Sequence, residues 1–287
     1  MTPGTPGLSD AILREAAVRA LGEDRGPADI TSLVFIPEAA TAKARIFCKE
    51  PCVVAGLPLA ARIFAEESSA LRVVLDAEDG ARLEAGATVL RVEGPLRPLL
   101  AAERPALNYL QHLSGIATAT RRFVEAVAGT NAKILDTRKT IPGLRHLAKY
   151  AVRCGGGTNH RFGLYDAFLV KDNHWTQLDP VALAAKIAEA RALAPEAMLE
   201  FEADTLEQVA LLAGANPPVD RILLDNMTLE QTAEAVRLVA GRCRTEASGN
   251  MTLGRVPAVA RTGVDFISVG ALTHSAPAVD FSLEVLP

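Results

Sequence analysis

The sequence has few cysteines, no long apolar run and no excess of positive charge, and each shortage argues against a class of protein. Four cysteines in 287 residues are too few for a disulfide framework, which favours a reducing, cytoplasmic location. No run of about 18 apolar residues occurs, so we expect no membrane-spanning helix. The net charge of −4 argues against a nucleic-acid coat. The N-terminal residues also lack the basic start and apolar stretch of a signal peptide.

The cysteines themselves suggest little chemistry. Cys48 and Cys52 are four residues apart, but no histidine lies near them in the sequence, so a zinc site is the weaker interpretation. Cys154 lies six residues before His160, which leaves a thiol nucleophile open as an alternative.

The back two thirds of the chain alternate short apolar runs with amphipathic helical stretches. The runs end at Asp136, Lys171, Glu202, Asp225, Ser248 and Gly270. Spacings of 22 to 35 residues correspond to one strand plus one helix, the unit of a parallel βαβ array. The pattern predicts a (β/α) barrel of six or seven units, with an open doubly wound sheet as the alternative. The longest gap leaves room for a further strand around 149–154 (KYAVRC).

The front third predicts a mixed α/β region. Ser9 is a candidate N-cap for a helix through Leu21. Strands are predicted within residues 40–56, 71–76 and 80–96. From there the pattern becomes helical and predicts one helix, kinked at Pro105 and ended near Gly115, followed by a second helix from Ile116 to Ala128.

A barrel would bring the ends of its strands to one rim, where barrel enzymes carry their chemistry. The residues at these strand ends are Asp136 with Arg138 and Lys139, then Lys171, Glu202, Asp225, Glu246 with Ser248, and Gly270. We expect these residues to form one active site.

Positive charge is concentrated in residues 138–171, which contain seven Lys or Arg and one acid. A solvated helix face explains three of these cations, spaced by four residues: Arg145, Lys149 and Arg153. The others abut buried strands and are predicted to converge beside His160: Arg138, Lys139, Arg161 and Lys171. Because clustered cations repel one another, this second set indicates a site for an anionic ligand, which Arg can bind bidentately.

The carboxylates Glu202 and Asp225 end neighbouring strands. Facing each other, they would raise one another's pKa unless a cation lay between them. A magnesium ion carried in by a diphosphate would meet that need. The alternative is that one of them caps a helix or pairs with a lysine of the pocket.

Two glycine-bearing turns follow the last two strands, at 246–250 (EASGN) and 268–272 (SVGAL). Barrels hold phosphate on backbone N–H groups at this position. The glycine run at 154–157 (CGGG) lacks the Lys-Ser/Thr of a Walker loop. The residues alone therefore indicate a site for a small polyanion with a phosphate, a magnesium-diphosphate and further carboxylates.

Several segments closely resemble the quinolinate phosphoribosyltransferase family. The resemblance is strongest in the segment from Asp136 to His174, DTRKTIPGLRHLAKYAVRCGGGTNHRFGLYDAFLVKDNH. It extends through ALGEDRGPADITS and ERPALNYLQHLSGIAT before that motif, and through LEFEAD, ILLDNM, EASGN and ISVGALTHSAP after it. Members transfer phosphoribose from phosphoribosyl pyrophosphate to quinolinate, releasing pyrophosphate and carbon dioxide and leaving nicotinate mononucleotide for NAD synthesis. Both substrates are multiply charged anions, which would explain the concentrated cations.

The resemblance also implies roles for particular residues. The quinolinate carboxylates would be bound by Arg138, His160, Arg161 and Lys171, with Arg104 reaching across from the partner of a homodimer. Lys139, Glu202 and Asp225 would be catalytic, and the two acids would lie near Mg²⁺, either directly or through water. The remaining substrate contacts would come from Thr137, Ser248, Gly249, Asn250, Val269, Gly270, Ala271 and His274.

The resemblance implies an N-terminal α/β sandwich, residues 1–113 completed by 275–287, and an incomplete seven-stranded (β/α) barrel over 114–274. The chain departs from the family at Asn250, where a second glycine is common, and at Trp175, where a smaller apolar residue is usual. Asn tolerates a left-handed backbone better than most residues, so we expect the loop at 246–250 to keep its shape.

Three alternative functions stay open. A superfamily relative associated with molybdenum-transport operons keeps the fold, but its pattern lacks the full TRKT, NHR and KDNH set. A Schiff-base aldolase would use Lys139 or Lys171 as an amine nucleophile. A non-catalytic phosphoribosyl-ligand sensor would have no need of Glu202 and Asp225.

Overall fold

The computed structural model describes residues 7–175 and 177–287. Residues 1–6, which belong to the N-terminal segment considered above for a signal peptide, lie outside the described residues. The chain forms two compact units. The first comprises the chain up to Arg121 together with Ile141–Gly156 and Ser275–Pro287, and the second comprises Arg122–Thr140 and Gly157–His274. The predicted domain boundary at 113/114 lies inside a continuous helix, Leu96–Ala126, and stays a prediction.

The helices, in chain order, are α1 (Asp10–Arg25), α2 (Ile30–Phe35), α3 (Leu57–Glu67), α4 (Leu96–Ala126), α5 (Arg145–Cys154), α6 (Asp172–Trp175), α7 (Leu183–Leu193), α8 (Leu206–Ala213), α9 (Leu229–Val239), α10 (Val256–Ala260) and α11 (Ala271–His274). The strands are β1 (Thr41–Cys48), β2 (Cys52–Val53), β3 (Arg72–Leu75), β4 (Arg82–Leu83), β5 (Thr88–Pro95), β6 (Lys133–Leu135), β7 (Ala167–Val170), β8 (Met198–Ala203), β9 (Arg221–Asp225), β10 (Arg244–Ser248), β11 (Phe266–Ser268) and β12 (Phe281–Leu286).

The first unit is built on an antiparallel sheet with the strand order β12-β1-β5-β3. The C-terminal tail supplies β12, which pairs with β1 from Lys43↔Leu286 to Cys48↔Phe281. In the second half of β1, buried side chains alternate with less buried ones, as expected for a sheet with one face on a core. Helix α1 begins as predicted, because the Ser9 side chain accepts the Ile12 N–H.

Helix α4 runs without a break past Gly115, so the predicted helix end at that glycine is wrong. The glycine has a packing role instead. A Cβ on Gly115 would lie 2.2 Å from the carbonyl oxygen of Pro277, in the tail that precedes β12. The tail is fixed there by the Val279 N–H, which donates to the Gln111 carbonyl at 3.1 Å.

The predicted extra strand at KYAVRC is also wrong, because these residues form the second half of α5. The expected solvated face of α5 is wrong for one residue in particular. Lys149 is 2% exposed, although Arg145 and Arg153 are partly exposed. Spacing by four identifies a shared helix face but does not say whether that face meets water or protein.

The second unit is a parallel sheet with the strand order β6-β11-β10-β9-β8-β7. The first strand of the unit pairs with the last, and the others follow in sequence. Among the described residues, this is the strand order of a barrel left open between β6 and β7, and it differs from that of a doubly wound sheet. In the described part of the chain, the sheet has six strands and one isolated parallel bridge, Leu135↔Thr158, on the open side of β6. The predicted α/β class with an incomplete barrel is confirmed, and the seventh strand is reduced to this bridge.

The helices of the second unit begin close to the strand ends. Thr205 and Thr228 form capping boxes with Gln208 and Gln231, in which the threonine hydroxyl accepts the glutamine N–H. These caps start α8 and α9 within a few residues of β8 and β9, so the strand-end side chains sit on short, well-fixed connections. Among the described residues, no helix is both long enough and apolar enough to cross a membrane.

Candidate active site

A cavity of about 820 Å³ lies at the carboxyl ends of the strands of the second unit. Its lining consists of Thr137, Arg138, Lys139, His160, Arg161, Leu169, Lys171, Glu202, Leu223, Asp225, Asn226, Glu246, Ser248, Gly249, Asn250, Met251, Thr252, Ser268, Gly270, Ala271 and His274. Every strand of the parallel sheet therefore contributes through its own end or the residues just after it.

Two residues of the predicted site lie elsewhere than in this lining. Arg104 is exposed on α4 in the first unit, and its predicted role across a dimer interface stays a prediction. Val269 is 1% exposed, and its N–H donates to the Leu135 carbonyl at 2.9 Å. Its backbone donor is therefore used within the sheet.

Four cations face the cavity together: Arg138, Lys139, Arg161 and Lys171. Burial lowers the pKa of the Arg161 guanidinium, and the neighbouring charge of Arg138 lowers it further. Such crowding of like charges is unfavourable unless an anion is bound between them. Arg161 is fixed by a hydrogen bond from its Nη1 to the Ala167 carbonyl at 3.1 Å.

The loop that carries His160 and Arg161 is held by a buried carboxylate. Asp136 is fully buried just after β6 and accepts the His160 N–H at 2.8 Å and the Asn159 side-chain amide at 2.5 Å. The sequence predicted Asp136 as a rim residue. The structure places it beneath the rim, where it organises the loop at 158–161.

The acids of the site form a group with one cation beside it. Carboxylate oxygens of Glu202, Asp204 and Asp225 lie within 4.8 Å of one another. Burial and the nearby charge of Asp225 raise the pKa of Asp204, as expected for crowded carboxylates. Lys171 Nζ lies 2.7 Å from Glu202 Oε2, so the alternative in which a pocket lysine pairs with one of the acids does occur.

Trp175, which the sequence could not explain, joins two strand ends. Its indole N–H donates to the Glu202 carbonyl at 2.7 Å, and its ring packs against Phe201 with centroids 5.6 Å apart. A smaller side chain could not reach that carbonyl. Trp175 thus connects the segment after β7, which carries Lys171, to the end of β8.

The predicted phosphate loop after β10 is shaped by its neighbour after β9. Gly249 has φ +94°, and a Cβ there would lie 2.1 Å from Asn226 Oδ1. Asn250 has φ +49°, the left-handed conformation that the sequence predicted it would tolerate. Arg255 joins the two loops, because it donates to the carbonyls of Gly249 at 3.2 Å and Met227 at 2.8 Å.

The second glycine turn lies against the lysine of the site. Gly270 leaves little room for a side chain, since a Cβ would be 3.2 Å from His274 Nε2 and 3.3 Å from Lys139 Cδ. The hydroxyl of Thr273 donates to the Lys139 carbonyl at 2.8 Å. Lys139 and the turn after β11 are therefore positioned together.

Sequence reasoning missed residues whose importance lies in their contacts. Asp204 follows Glu202 by two positions, a signal that was available in LEFEAD. Asn226 lies in ILLDNM directly after Asp225, a signal that was also available, whereas Arg255 carries no motif that distinguishes it from an ordinary loop residue. The thiol alternative is disfavoured, because burial raises the pKa of Cys154 to about 12 and leaves it protonated near neutral pH.

Two family models match nearly the whole chain. The model described as quinolinate phosphoribosyl transferase, N-terminal domain, matches residues 29–114, and the corresponding C-terminal domain matches residues 116–284.

Curated relatives and solved structures agree with the models. The chain is 45% identical over 278 residues to the carboxylating nicotinate-nucleotide pyrophosphorylase of Mycobacterium leprae, covering 95% of this chain and 96% of the relative. Among solved structures, NadC from Streptococcus pyogenes has a TM-score of 0.91 and 41% identity, covering 98% of this chain and all of the other. The nicotinate-nucleotide pyrophosphorylase from Francisella tularensis has a TM-score of 0.93 and 35% identity over the full length of both chains.

Proposed function

The chain belongs to the quinolinate phosphoribosyltransferase family, and we propose that the cavity of its second unit is the place where its reaction occurs. The reaction moves phosphoribose from phosphoribosyl pyrophosphate to the ring nitrogen of quinolinate. It releases pyrophosphate and carbon dioxide and leaves nicotinate mononucleotide. The observation that supports this location best is that one cavity contains four crowded cations, strand-end acids and two glycine turns.

Quinolinate, which carries two carboxylates, occupies the cationic flank. Arg138 and Arg161 bind a carboxylate each or share one, because the planar guanidinium matches carboxylate geometry. The anion relieves the repulsion that lowers the pKa of Arg161. His160, whose Nε2 lies 3.0 Å from Glu200, holds the backbone of this flank by accepting the Arg161 N–H.

Phosphoribosyl pyrophosphate occupies the opposite flank. Its 5′-phosphate lies on the turns after β10 and β11, where Gly249, Asn250 and Gly270 leave the backbone open. Glu202 and Asp225 lie beside the ribose and the diphosphate. The all-oxygen donor set of Glu202, Asp204 and Asp225 fits Mg²⁺, which would enter with the diphosphate and neutralise part of its charge.

Catalysis depends on electrostatics and positioning rather than on a protein nucleophile. The bond between ribose and pyrophosphate breaks ahead of attack, so positive charge develops on the ribose, where Glu202 or Asp225 stabilises it. Lys139, placed by Thr273 and Gly270, lies between the two substrates and neutralises the departing pyrophosphate. Arg138 and Arg161 retain the remaining carboxylate while carbon dioxide leaves, and the ring carbon that loses it takes up a proton from water.

The alternative functions fit the site less well. An aldolase lysine must be a neutral amine, whereas Lys171 is ion-paired with Glu202. The molybdenum-operon relative is disfavoured by identity to carboxylating pyrophosphorylases over nearly the whole chain. A non-catalytic sensor is tested by the assay below.

We further propose a homodimer in which Arg104 completes the partner's site, since Arg104 is exposed on α4 and has the motif position that the family uses for this purpose. The reaction takes place in a reducing cytoplasm, in keeping with four cysteines that are all free and all within the described residues.

The direct test is incubation of the purified chain with quinolinate, phosphoribosyl pyrophosphate and Mg²⁺. Nicotinate mononucleotide should form only when all three are present, and the Asp225→Asn variant should form it far more slowly. The variant is nearly isosteric, so it tests charge rather than shape. Binding of both substrates without any mononucleotide would identify a sensor and overturn the proposal.

A further inference from the structure

One layer beneath the cavity floor, the barrel interior is charged. Side chains of a strand alternate between faces, so Glu200 and Arg221 lie on the same faces as Glu202 and Leu223 of the cavity. Glu200 and Glu246 are both fully buried. Barrel interiors are usually packed with bulky apolar residues, and a buried unpaired carboxylate is costly. The buried charges of this layer cost stability, so we expect that they serve a function.

Arg221 is the cation of this layer. Its Nη1 lies 2.7 Å from Glu246 Oε2 and 3.8 Å from Glu200 Oε1. Its guanidinium stacks over the Phe266 ring at 4.1 Å, and its side chain is 12% exposed. One arginine thus sits between two buried acids and is held in plane by an aromatic ring.

One proton is needed to balance the layer. Within the described residues, Oε1 of Glu200 and Oε1 of Glu246 have no hydrogen-bond partner, while Oε2 of Glu200 lies 3.0 Å from His160 Nε2. Burial, and then the charge of Glu200, raises the pKa of Glu246 to about 7. A protonated Glu246 would donate to Glu200 while its other oxygen accepts from Arg221.

The layer meets the substrate site through His160. Nδ1 of His160 accepts the Arg161 N–H at 2.6 Å, so the ring carries its proton on Nε2. Nε2 points down into the layer, 3.0 Å from Glu200 and 3.5 Å from Glu246. The acids fix the tautomer and tilt of the ring, and the ring fixes the backbone of Arg161.

We propose that Arg221 and Glu246 form a buried positioning unit that holds His160, and through it Arg161, in the arrangement that binds quinolinate. Arg221 lies outside the cavity lining and Glu246 lies at its floor, so the unit acts on quinolinate through His160. It rests on the proposed function, because quinolinate is the ligand whose affinity it sets. Phosphoribosyl pyrophosphate, bound on the opposite flank, is outside its reach.

The test compares two single variants and one double variant by calorimetric titration of each substrate. Arg221→Leu leaves two acids without their cation, and the dissociation constant for quinolinate should rise at least about tenfold, on the scale for breaking a buried pair. Glu246→Gln, an isostere of the protonated acid, should change it less than about threefold. The double variant Arg221→Leu/Glu200→Gln should recover most of the loss, because it removes the carboxylate charge that Arg221 balances.

Selectivity separates positioning from general stability. Affinity for phosphoribosyl pyrophosphate should stay within about twofold in all three variants. Arg244→Leu is the matched control, since Arg244 pairs with Asp265 at the exposed start of the adjacent strand, and it should alter neither affinity. Equal loss of both affinities in Arg221→Leu, or no recovery in the double variant, overturns the proposal.

If Arg221→Leu does not fold, Arg221→Lys keeps the charge but loses the planar contact. It should weaken quinolinate alone, by about threefold, and no selective change would overturn the proposal. Failure of the wild-type chain to bind quinolinate would instead count against the proposed function, so the two failures are distinguishable.

Discussion

Single side chains set the charge balance of the cavity, and their neighbours decide how much each one matters. Lys171 is half exposed and already paired with Glu202, whereas Arg161 is crowded by Arg138 and has its Nη1 on a backbone carbonyl. An anion entering the cavity therefore gains most from Arg161.

We expect Arg161→Ala to weaken quinolinate binding by about 2–4 kcal/mol, the scale for truncating one partner of a buried charge pair. The loss should be smaller for Lys171→Ala, because that variant also releases Glu202. Calorimetric titration measures both. Unchanged quinolinate affinity in Arg161→Ala would refute its assignment to the carboxylate site.

Glu246 should make folding stability depend on pH. Its pKa is raised from 4.5 to about 7 by burial and by Glu200 on β8, against the opposing effects of His160, Arg221 and Ser268. Since the folded state holds this proton more tightly than the unfolded state, the contribution is fully present below about pH 4.5 and is lost as the pH rises to about 7.

The measurement is urea unfolding of the wild type and Glu246→Gln between pH 4 and 8. The free energy of unfolding of the wild type, relative to the variant, should fall over this range by on the order of 3 kcal/mol and level off above pH 7. A difference that does not vary with pH would show that Glu246 is not the group that titrates.

At the level of secondary structure, the connections between strands and helices carry the functional groups, and hydrogen bonds join several of them to a neighbouring connection or strand end. Trp175 joins the connection after β7 to the end of β8, and Arg255 joins the connections after β9 and β10. The cavity is thus formed by elements that are tied together in pairs.

The brace at Arg255 should matter for the phosphate flank alone. Arg255→Met frees the carbonyls of Gly249 and Met227, and the KM for phosphoribosyl pyrophosphate should rise about tenfold, because part of the free energy of two lost charge-assisted hydrogen bonds is felt by the bound phosphate. The KM for quinolinate should change little. Arg261→Met, at the exposed end of the same helix α10, is the control. A parallel rise in both KM values would mean that the unit as a whole has loosened.

At the scale of the whole molecule, the proposed dimer predicts complementation. If Arg104 completes the partner's site, Arg104→Ala and Asp225→Asn should each be nearly inactive alone. Dissociated and mixed in equal amounts, they should regain about a quarter of wild-type activity, because half of the dimers are mixed and each has one intact site. No recovery after exchange, verified by native mass spectrometry, would place Arg104 in its own chain's site or outside any site.

The fold and most of the cavity could be predicted because the ends of the parallel strands are visible in the sequence as polar residues that follow apolar runs. Asp136, Lys171, Glu202 and Asp225 each close an apolar run, and a barrel brings such positions together. Glu200 and Arg221 could not be predicted, because a charge inside or at the start of a strand looks exposed until its buried partners are known. The predicted helix end at Gly115 and the predicted exposure of Lys149 were wrong for the same reason. The segments that pack against a residue, such as the C-terminal tail against Gly115, are not known from the sequence.

We expect one cavity to hold both substrates. The most direct test is to measure labelled carbon dioxide released from carboxyl-labelled quinolinate, with and without phosphoribosyl pyrophosphate. We predict no labelled carbon dioxide without the phosphoribosyl donor. With donor and Mg²⁺ present, carbon dioxide and nicotinate mononucleotide should form in equal amounts. Release of carbon dioxide without the donor, or mononucleotide without carbon dioxide, would contradict the account.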